Sequence, residues 1–231
     1  MVAFEQIIEQ LRIRRGVTAL IGGGGKTSLL LALGAHLRQS GSVLLCTSTH
    51  IYPPQNVPLW ETLDRPLSFG ACAAVGTMGE SGKLTGPRQP FSELIGLADY
   101  VLCEADGSRG LPLKAHAAHE PVIPPESTAV LAVLGLDGIG QPIRNAAHRP
   151  ALYAERLGVS EDTVVTPALA AQMLNRYPGV TGVVLNKADT DARLRLARET
   201  AALLPKPAAI TVLQPEPKII ELWRNGTCWL S

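Results

Sequence analysis

Lys26 and Thr27 stand directly after four consecutive glycines, Gly22 to Gly25, an order of residue types suited to holding phosphate. Glycines let the backbone adopt positive dihedrals and bring its amide hydrogens close to an anion. A helix starting there adds unpaired N–H groups and the positive end of its dipole. Lys26 would reach the outer phosphates as a mobile point charge, the Thr27 hydroxyl would hold a magnesium ion, and Ser28 would extend the cradle. The phosphate-loop pattern G-x-x-x-x-G-K-S/T is met at Gly25-Lys26-Thr27 but not at its first glycine, where Leu20 stands. Ile21 takes the place of the second, signature lysine of a related loop, so no lysine reaching into a partner's nucleotide is expected. The competing use, a glycine turn that packs a helix tightly onto a strand, needs no Lys-Thr pair.

Carboxylates lie downstream. Asp99-Tyr-Val-Leu-Cys-Glu104-Ala-Asp106-Gly107 reads as an apolar strand ending in two acids and a glycine. Glu104 and Asp106 are candidates, with Thr27, to hold Mg2+ directly or through water. Glu104-x-x-Gly107 also has the spacing of the switch element whose glycine amide approaches a terminal phosphate. Lys26 and Asp106 are the residues expected to do catalytic work. The alternative use of both acids is to cap the next element.

A third signal is Asn186-Lys187-Ala188-Asp189 at the end of the apolar run Val180 to Leu185. In this arrangement the aspartate accepts from the ring and exocyclic nitrogens of guanine, and the lysine stem lies over the base. Adenine presents an acceptor and lacks that amine, so GTP is the expected nucleotide and ATP the alternative. Other polar residues are candidates for a substrate or client. Thr47-Ser-Thr49-His50 closes a strand, where ligands of open α/β sheets bind, although a hydroxyl-rich turn before Pro53-Pro54 accounts for it equally. Arg109 and Lys114 are candidate anion contacts. His148 and Arg149 either contact a substrate or cap and pair with carboxylates. His116 and His119 have a spacing that could hold a metal on a helix, but no third ligand is near in sequence.

These residues need a scaffold of alternating helices and strands. Helices are predicted over Phe4–Leu11, from Ser28 to Arg38 with Gly41 as cap, over Phe91–Ala98, from Pro167 with Thr166 as cap, and over Asp191–Leu204. Strands are predicted over Val17–Ile21, Ser42–Thr47, Tyr100–Glu104, Thr128–Leu134, Val180–Leu185 and Ala208–Leu213, most of them apolar on both faces as parallel strands are. Ala71 to Gly86 suggests an edge hairpin about Gly79-Glu-Ser-Gly82, and Glu216–Arg224 a short terminal helix. The proline-laced stretch from Arg109 to Pro125 reads as a lid or partner surface. The expectation is one α/β domain over residues 1–231, with a three-layer P-loop NTPase-like fold, a mostly parallel sheet, helices on both faces and an edge hairpin.

Composition narrows the classes further. The chain has 231 residues, 46% hydrophobic and 18% charged, which suits one well-buried domain. A net charge of +1 with no basic run argues against a nucleic-acid or anionic-membrane partner. The cysteines Cys46, Cys72, Cys103 and Cys228 are scattered, with no C-x-x-C pair, which fits a reducing cytoplasm. The N-terminus is acidic and amphipathic, unlike a signal peptide, and no run approaches about twenty apolar residues.

As a set, the loop Gly22 to Thr27, Thr47-Ser-Thr-His50, Glu104-Ala-Asp-Gly-Ser-Arg-Gly-Leu-Pro-Leu-Lys114, His119-Glu-Pro-Val-Ile-Pro124, Gly135-Leu-Asp137, His148-Arg-Pro150 and Asn186-Lys-Ala-Asp189 resemble the YqeC family. Its members are described as accessory proteins of selenium-dependent molybdenum hydroxylases. The resemblance implies a client of that kind, or its cofactor. The loop and switch are also similar to the GTPase class that includes metal-delivery chaperones for nickel enzymes, a fold-level analogy. The residues themselves suggest a slow Mg2+-dependent nucleoside triphosphatase whose switch segments gate a client, with pairing as a homodimer across the nucleotide left open. Two other classes stay open: a small-molecule kinase or nucleotidyl-transfer enzyme, and a nucleotide-gated binding module without turnover.

Overall fold

The computed structural model describes residues 2–54 and 56–231. Helix α1 (Phe4–Gln10) leads into strand β1 (Gly16–Gly22), and after the glycine loop comes α2 (Lys26–Leu37), followed by β2 (Val43–Thr47). The next elements are short: β3 (His50–Ile51), β4 (Leu59–Trp60), β5 (Cys72–Val75), β6 (Leu84–Thr85) and α3 (Phe91–Leu97). Then come β7 (Tyr100–Glu104), β8 (Leu113–Lys114), the long β9 (Ser127–Gly135), α4 (Ile143–Ala146), β10 (Ala147–His148), α5 (Pro150–Leu157) and α6 (Pro167–Leu174). The chain finishes with β11 (Gly182–Asn186), α7 (Asp191–Ala202), β12 (Ala208–Val212), β13 (Lys218–Arg224) and β14 (Thr227–Leu230).

Among the described residues ten strands form one sheet in the order β14-β13-β12-β11-β9-β1-β7-β2-β5-β4. All neighbours from β12 to β4 run parallel, and only β13 and β14 are antiparallel. The period-2 alternation of strand side chains divides the core between the two faces. Ala19 and Ile21 of β1, Cys46 of β2 and Cys103 of β7 join the side that holds α3 and α5 to α7. Leu20, Leu45 and Leu102 face α1 and α2. Both faces are covered, so these strands are apolar at most positions on both sides, with Thr18, Thr47 and Glu104 the buried polar exceptions. This is the three-layer, P-loop-like α/β fold.

Helix α2 is held by Leu29, Leu30, Leu33 and Leu37, each fully buried or nearly so, and each worth roughly 1.5–3 kcal/mol of transfer from water. That anchoring fixes the helix start beside the carboxyl ends of β1, β7, β9 and β11. From β1 the chain moves outward to β2, returns to β7 and then crosses to β9 on the opposite side. The glycine loop therefore lies where the strand order reverses, the place at which open α/β sheets leave a crevice. No helix of the described residues is long and apolar enough to cross a membrane.

Three expectations need correcting. The stretch from Ala71 to Gly86 does turn back at Gly79 to Gly82, where Met78 bridges Leu84 antiparallel and the Gly79 and Thr85 amides donate to the Lys83 and Thr77 carbonyls, but it is not one hairpin added at the sheet edge. Its first half, β5, is a parallel strand beside β2, and its second half, β6, pairs with β3 in a separate small sheet. Glu216–Arg224 is no helix but β13, and with β14 it makes the edge hairpin. Asn225 and Gly226 turn that hairpin with φ of 51° and 72°, the double positive φ for which Asn-Gly is the preferred pair. The third correction concerns the stretch from Arg109 to Pro125, read as a lid or partner surface, whose middle is packed into the fold. Leu113, Lys114, Ala115 and His116 are buried, and β8 pairs with β10.

Candidate functional site

The loop between β1 and α2 is bare because its surroundings leave no room. A Cβ at Gly24 would run into the backbone of Gly135 and one at Gly25 into the side-chain amide of Asn186, with φ of 78° and 134° at the two glycines. The loop's amides divide into two groups. Gly22 N–H donates to Asp106 Oδ2 at 2.8 Å, Gly23 to the Val133 carbonyl at 2.9 Å and Gly24 to the Leu111 carbonyl at 3.1 Å. The first helical bond of α2 runs from Leu29 to Gly25. Among the described residues the amides of Gly25, Lys26, Thr27 and Ser28 therefore have no acceptor. Gly25, Thr27 and Ser28 are also partly open to solvent, whereas Gly22 to Gly24 are buried.

Lys26 folds back under the loop. Its Nζ lies 2.7 Å from the Gly22 carbonyl, 3.1 Å from Asp106 Oδ1 and 3.5 Å from Glu104 Oε1. Thr27 Oγ1 donates to the other oxygen of Glu104 at 2.8 Å. Strand β7 ends at Glu104, so the next residues leave the sheet and bring Asp106 behind the loop. The two acids differ in character. Burial pushes the Glu104 carboxyl above the usual range, and Lys26 and Thr27 offset only part of this. Burial would raise Asp106 as well, but Lys26, the His116 hydrogen bond, Lys114 and the Gly22 amide outweigh it and bring it down to about 2.

A buried ionic chain continues behind Asp106. His116 Nε2 is 2.6 Å and Lys114 Nζ 3.6 Å from Asp106 Oδ2. Lys114 also bonds Glu120 at 3.1 Å and the Gly107 carbonyl at 2.5 Å, and Glu120 takes Arg149 at 3.0 Å. Tyr177 closes the far side, its hydroxyl donating to the Lys114 carbonyl at 2.5 Å and its ring edge-on to His116. Burial lowers Lys114, and the acids around it offset this only in part. Desolvation, with the cations Lys114 and Arg149 nearby, lowers His148.

On the other side of the loop, Asn186 is buried and holds structure with both ends of its amide. Its Nδ2 donates to the Gly24 carbonyl at 2.9 Å, and its Oδ1 accepts from Thr211 Oγ1 at 3.2 Å and the Leu213 amide at 3.1 Å. Lys187, at φ 71°, reaches Asp137 at 2.6 Å. Asp189 is exposed and pairs with Arg193, one turn into α7, at 2.6 Å. A cavity of about 240 Å3 opens between Ser28, Asn186, Lys187, Asp189, Leu213 and Gln214.

The residues singled out in the sequence fall into three groups. Gly22 to Ser28, Glu104, Asp106, Asn186, Lys187 and Asp189 gather around one loop. Lys114, His148 and Arg149 belong to the ionic chain behind it or flank it. Thr49 is tied to this end of the sheet through Thr47, whose hydroxyl donates to the Glu104 carbonyl at 2.7 Å, whereas His50 and Arg109 are exposed. His119 is exposed and His116 buried, and no helix joins them. Glu120, Tyr177 and Gln214 were missed. Glu120 sits inside the family-like block, but nothing in the local sequence marks the other two.

Thr27 Oγ1 and Glu104 Oε2 fit a magnesium ion that arrives with phosphate, because Mg2+ is commonly held by one or two protein oxygens plus phosphate and water. Among the described residues no group of three or more His, Cys, Asp or Glu could hold a metal.

The sequence model of the YqeC protein family matches residues 18–151, more than half of the chain. This chain belongs to the YqeC family. The match takes in the glycine loop, Glu104 to Glu120 and His148-Arg149, and it ends before Asn186 to Asp189. The uncharacterized protein YqeC of Escherichia coli (strain K12) is 34% identical over 168 residues, which are 66% of this chain and 64% of that relative. The chain thus spans somewhat less than two thirds of the length of this YqeC relative.

Proposed function

We propose that this YqeC protein binds a guanine nucleoside triphosphate with Mg2+ at the mouth of α2. The observation that carries the reading is the set of four uncommitted amides, Gly25 to Ser28, lying between Lys26, Thr27 and Glu104 on one side and the cavity at Asp189 on the other. Amides at a helix start, a lysine and a hydroxyl beside a carboxylate are complementary to the phosphates and their metal. The cavity has room for a base rather than for a whole drug-sized ligand, whose pockets run to about 300–1,000 Å3. Magnesium, when bound, would neutralise phosphate charge next to Thr27 and Glu104.

On this reading Lys26 exchanges Asp106 for phosphate, and Asp106 is left to His116 and Lys114. The segment from Gly107 to Glu120, tied to Asp106 through those two residues, then senses whether the terminal phosphate is present. Turnover is slow, because Asp106 stays engaged by His116, Lys114 and the Gly22 amide after Lys26 leaves it and is a poor proton acceptor. The accessory role implied by the family resemblance, maturation of a selenium-dependent molybdenum hydroxylase or its cofactor, makes such a gate useful: the client would be released or engaged as the nucleotide changes. The test is titration of a fluorescent GTP analogue with Mg2+ present. Saturable binding that Lys26→Ala removes supports the reading, and no binding by folded protein defeats it.

A further inference from the structure

The cavity beside Asp189 contains a polar group that no motif assigns. Asn186 is buried and spends its Oδ1 on Thr211 and Leu213 and an Nδ2 hydrogen on the Gly24 carbonyl, so it is held as part of the cavity wall. Lys187 is held by Asp137 at 2.6 Å, and the Leu213 amide is held by Asn186. Two exposed lining side chains, Asp189 and Gln214, keep capacity. Asp189 has a second carboxylate oxygen beyond the one on Arg193. Gln214, which directly follows Leu213 beyond the end of β12, is exposed, and among the described residues the one hydrogen bond of its side-chain amide is a long 3.4 Å approach of Nε2 to Ser28 Oγ.

From this we infer that Gln214 is a specificity-determining residue that donates its side-chain N–H to the C6 carbonyl of guanine while Asp189 accepts from the neighbouring ring N–H and amine. The inference rests on the nucleotide reading above and deepens it. Guanine presents an acceptor beside two donors along this edge, whereas adenine presents a donor beside an acceptor. A carboxylate accepts only, and a primary amide can donate, so together they complement guanine in one orientation. For adenine to fit, Gln214 must turn its oxygen to the amine, and Asp189 still faces a ring nitrogen with a lone pair. The Ser28 contact places Gln214 Nε2 across the cavity mouth, next to the uncommitted amides, where a base joined to phosphates would lie.

The experiment measures Mg2+-dependent affinity for GTP and ATP, by competition with a fluorescent analogue, in the unaltered protein, Gln214→Leu and Gln214→Glu. Gln214 is exposed, so both variants should fold, as unchanged circular dichroism would verify. The expected result is a GTP preference in the unaltered protein that Gln214→Leu reduces about 5- to 20-fold through weaker GTP binding, with ATP affinity within about twofold. Gln214→Glu, which sets an acceptor against the carbonyl, should shift the GTP-to-ATP ratio further, by about 20-fold or more. A GTP preference that both variants keep within about twofold overturns the role of Gln214 and leaves the nucleotide reading intact. ATP binding tighter than GTP in the unaltered protein overturns both the role of Gln214 and the guanine preference, and leaves only triphosphate binding at the glycine loop. No binding of either nucleotide removes the nucleotide reading and this inference together.

Discussion

Lys26 Nζ lies 3.1 Å from Asp106 Oδ1, with only 3% and 0% of the two side chains exposed. A lysine that would serve phosphates is thus engaged by a carboxylate that also holds the loop's Gly22 amide. A ligand must compete for that lysine, and the acid it leaves behind is tied to His116 and Lys114. Position and coupling come from the same contact.

Removing the acid should be costly. Asp106→Ala leaves Lys26 and Lys114 without their shared partner and Gly22 N–H without an acceptor. Breaking one side of a buried ion pair costs about 3–5 kcal/mol. Urea unfolding should show a loss of that order, and a loss under 1 kcal/mol would mean that the ionic chain does not stabilise the fold.

Acid should weaken the protein through the same residue. The folded-state value of Asp106, about 2, lies below the roughly 3.9 of an unfolded aspartate. The carboxylate's contribution is therefore present above pH 3.9 and disappears as the pH falls through 2, about 2–3 kcal/mol in all. Glu104 is shifted upward and has the opposite sign: its contribution is full below the unfolded value and lost as the pH rises through the folded one. Unfolding free energy measured between pH 2 and 5 should have a positive slope that Asp106→Asn flattens.

Thr27 and Glu104 should govern metal dependence. In Thr27→Ala and Glu104→Gln, nucleotide affinity should respond less than about threefold to Mg2+, against tenfold or more in the unaltered protein. Titration with Mg2+ and with EDTA distinguishes these cases. An undiminished magnesium response in both variants would move the metal elsewhere.

Asn186 and Asp189 should separate cleanly although they share one motif. Asn186→Ala leaves the Gly24 carbonyl, the Thr211 hydroxyl and the Leu213 amide without their partner, at about 1–3 kcal/mol for each buried group left unsatisfied. Its melting temperature should fall along with nucleotide affinity. Asp189→Asn, exposed, should leave the melting temperature within a degree or two and lower GTP affinity alone. Equal melting losses in the two variants would contradict this division.

Much of the scaffold was legible because a strand buried on both faces must be apolar throughout, as Val43 to Cys46 and Val183 to Leu185 are. The edge at β13 was misread although Asn225-Gly226 is a strong local hairpin signal. Ile219, Ile220 and Leu222 look like one face of a helix until that turn is given its weight. That Lys26 and Thr27 open a helix after the glycines was legible in their order. Which amides stay free was not, since Gly22, Gly23 and Gly24 find their acceptors on Asp106, Val133 and Leu111, residues brought near only by the assembled sheet. Local spacing likewise says nothing of Tyr177 meeting Lys114 or of Gln214 facing Ser28.

The order of the strands also decides how this protein can be watched. Trp60 lies on β4 at one margin of the sheet, and Trp223 and Trp229 lie on β13 and β14 at the other, while the glycine loop leaves the middle. Indole emission therefore reports on the flanks, so fraying of either margin will be visible without a label, and occupancy at the centre calls for a dye carried by the ligand itself.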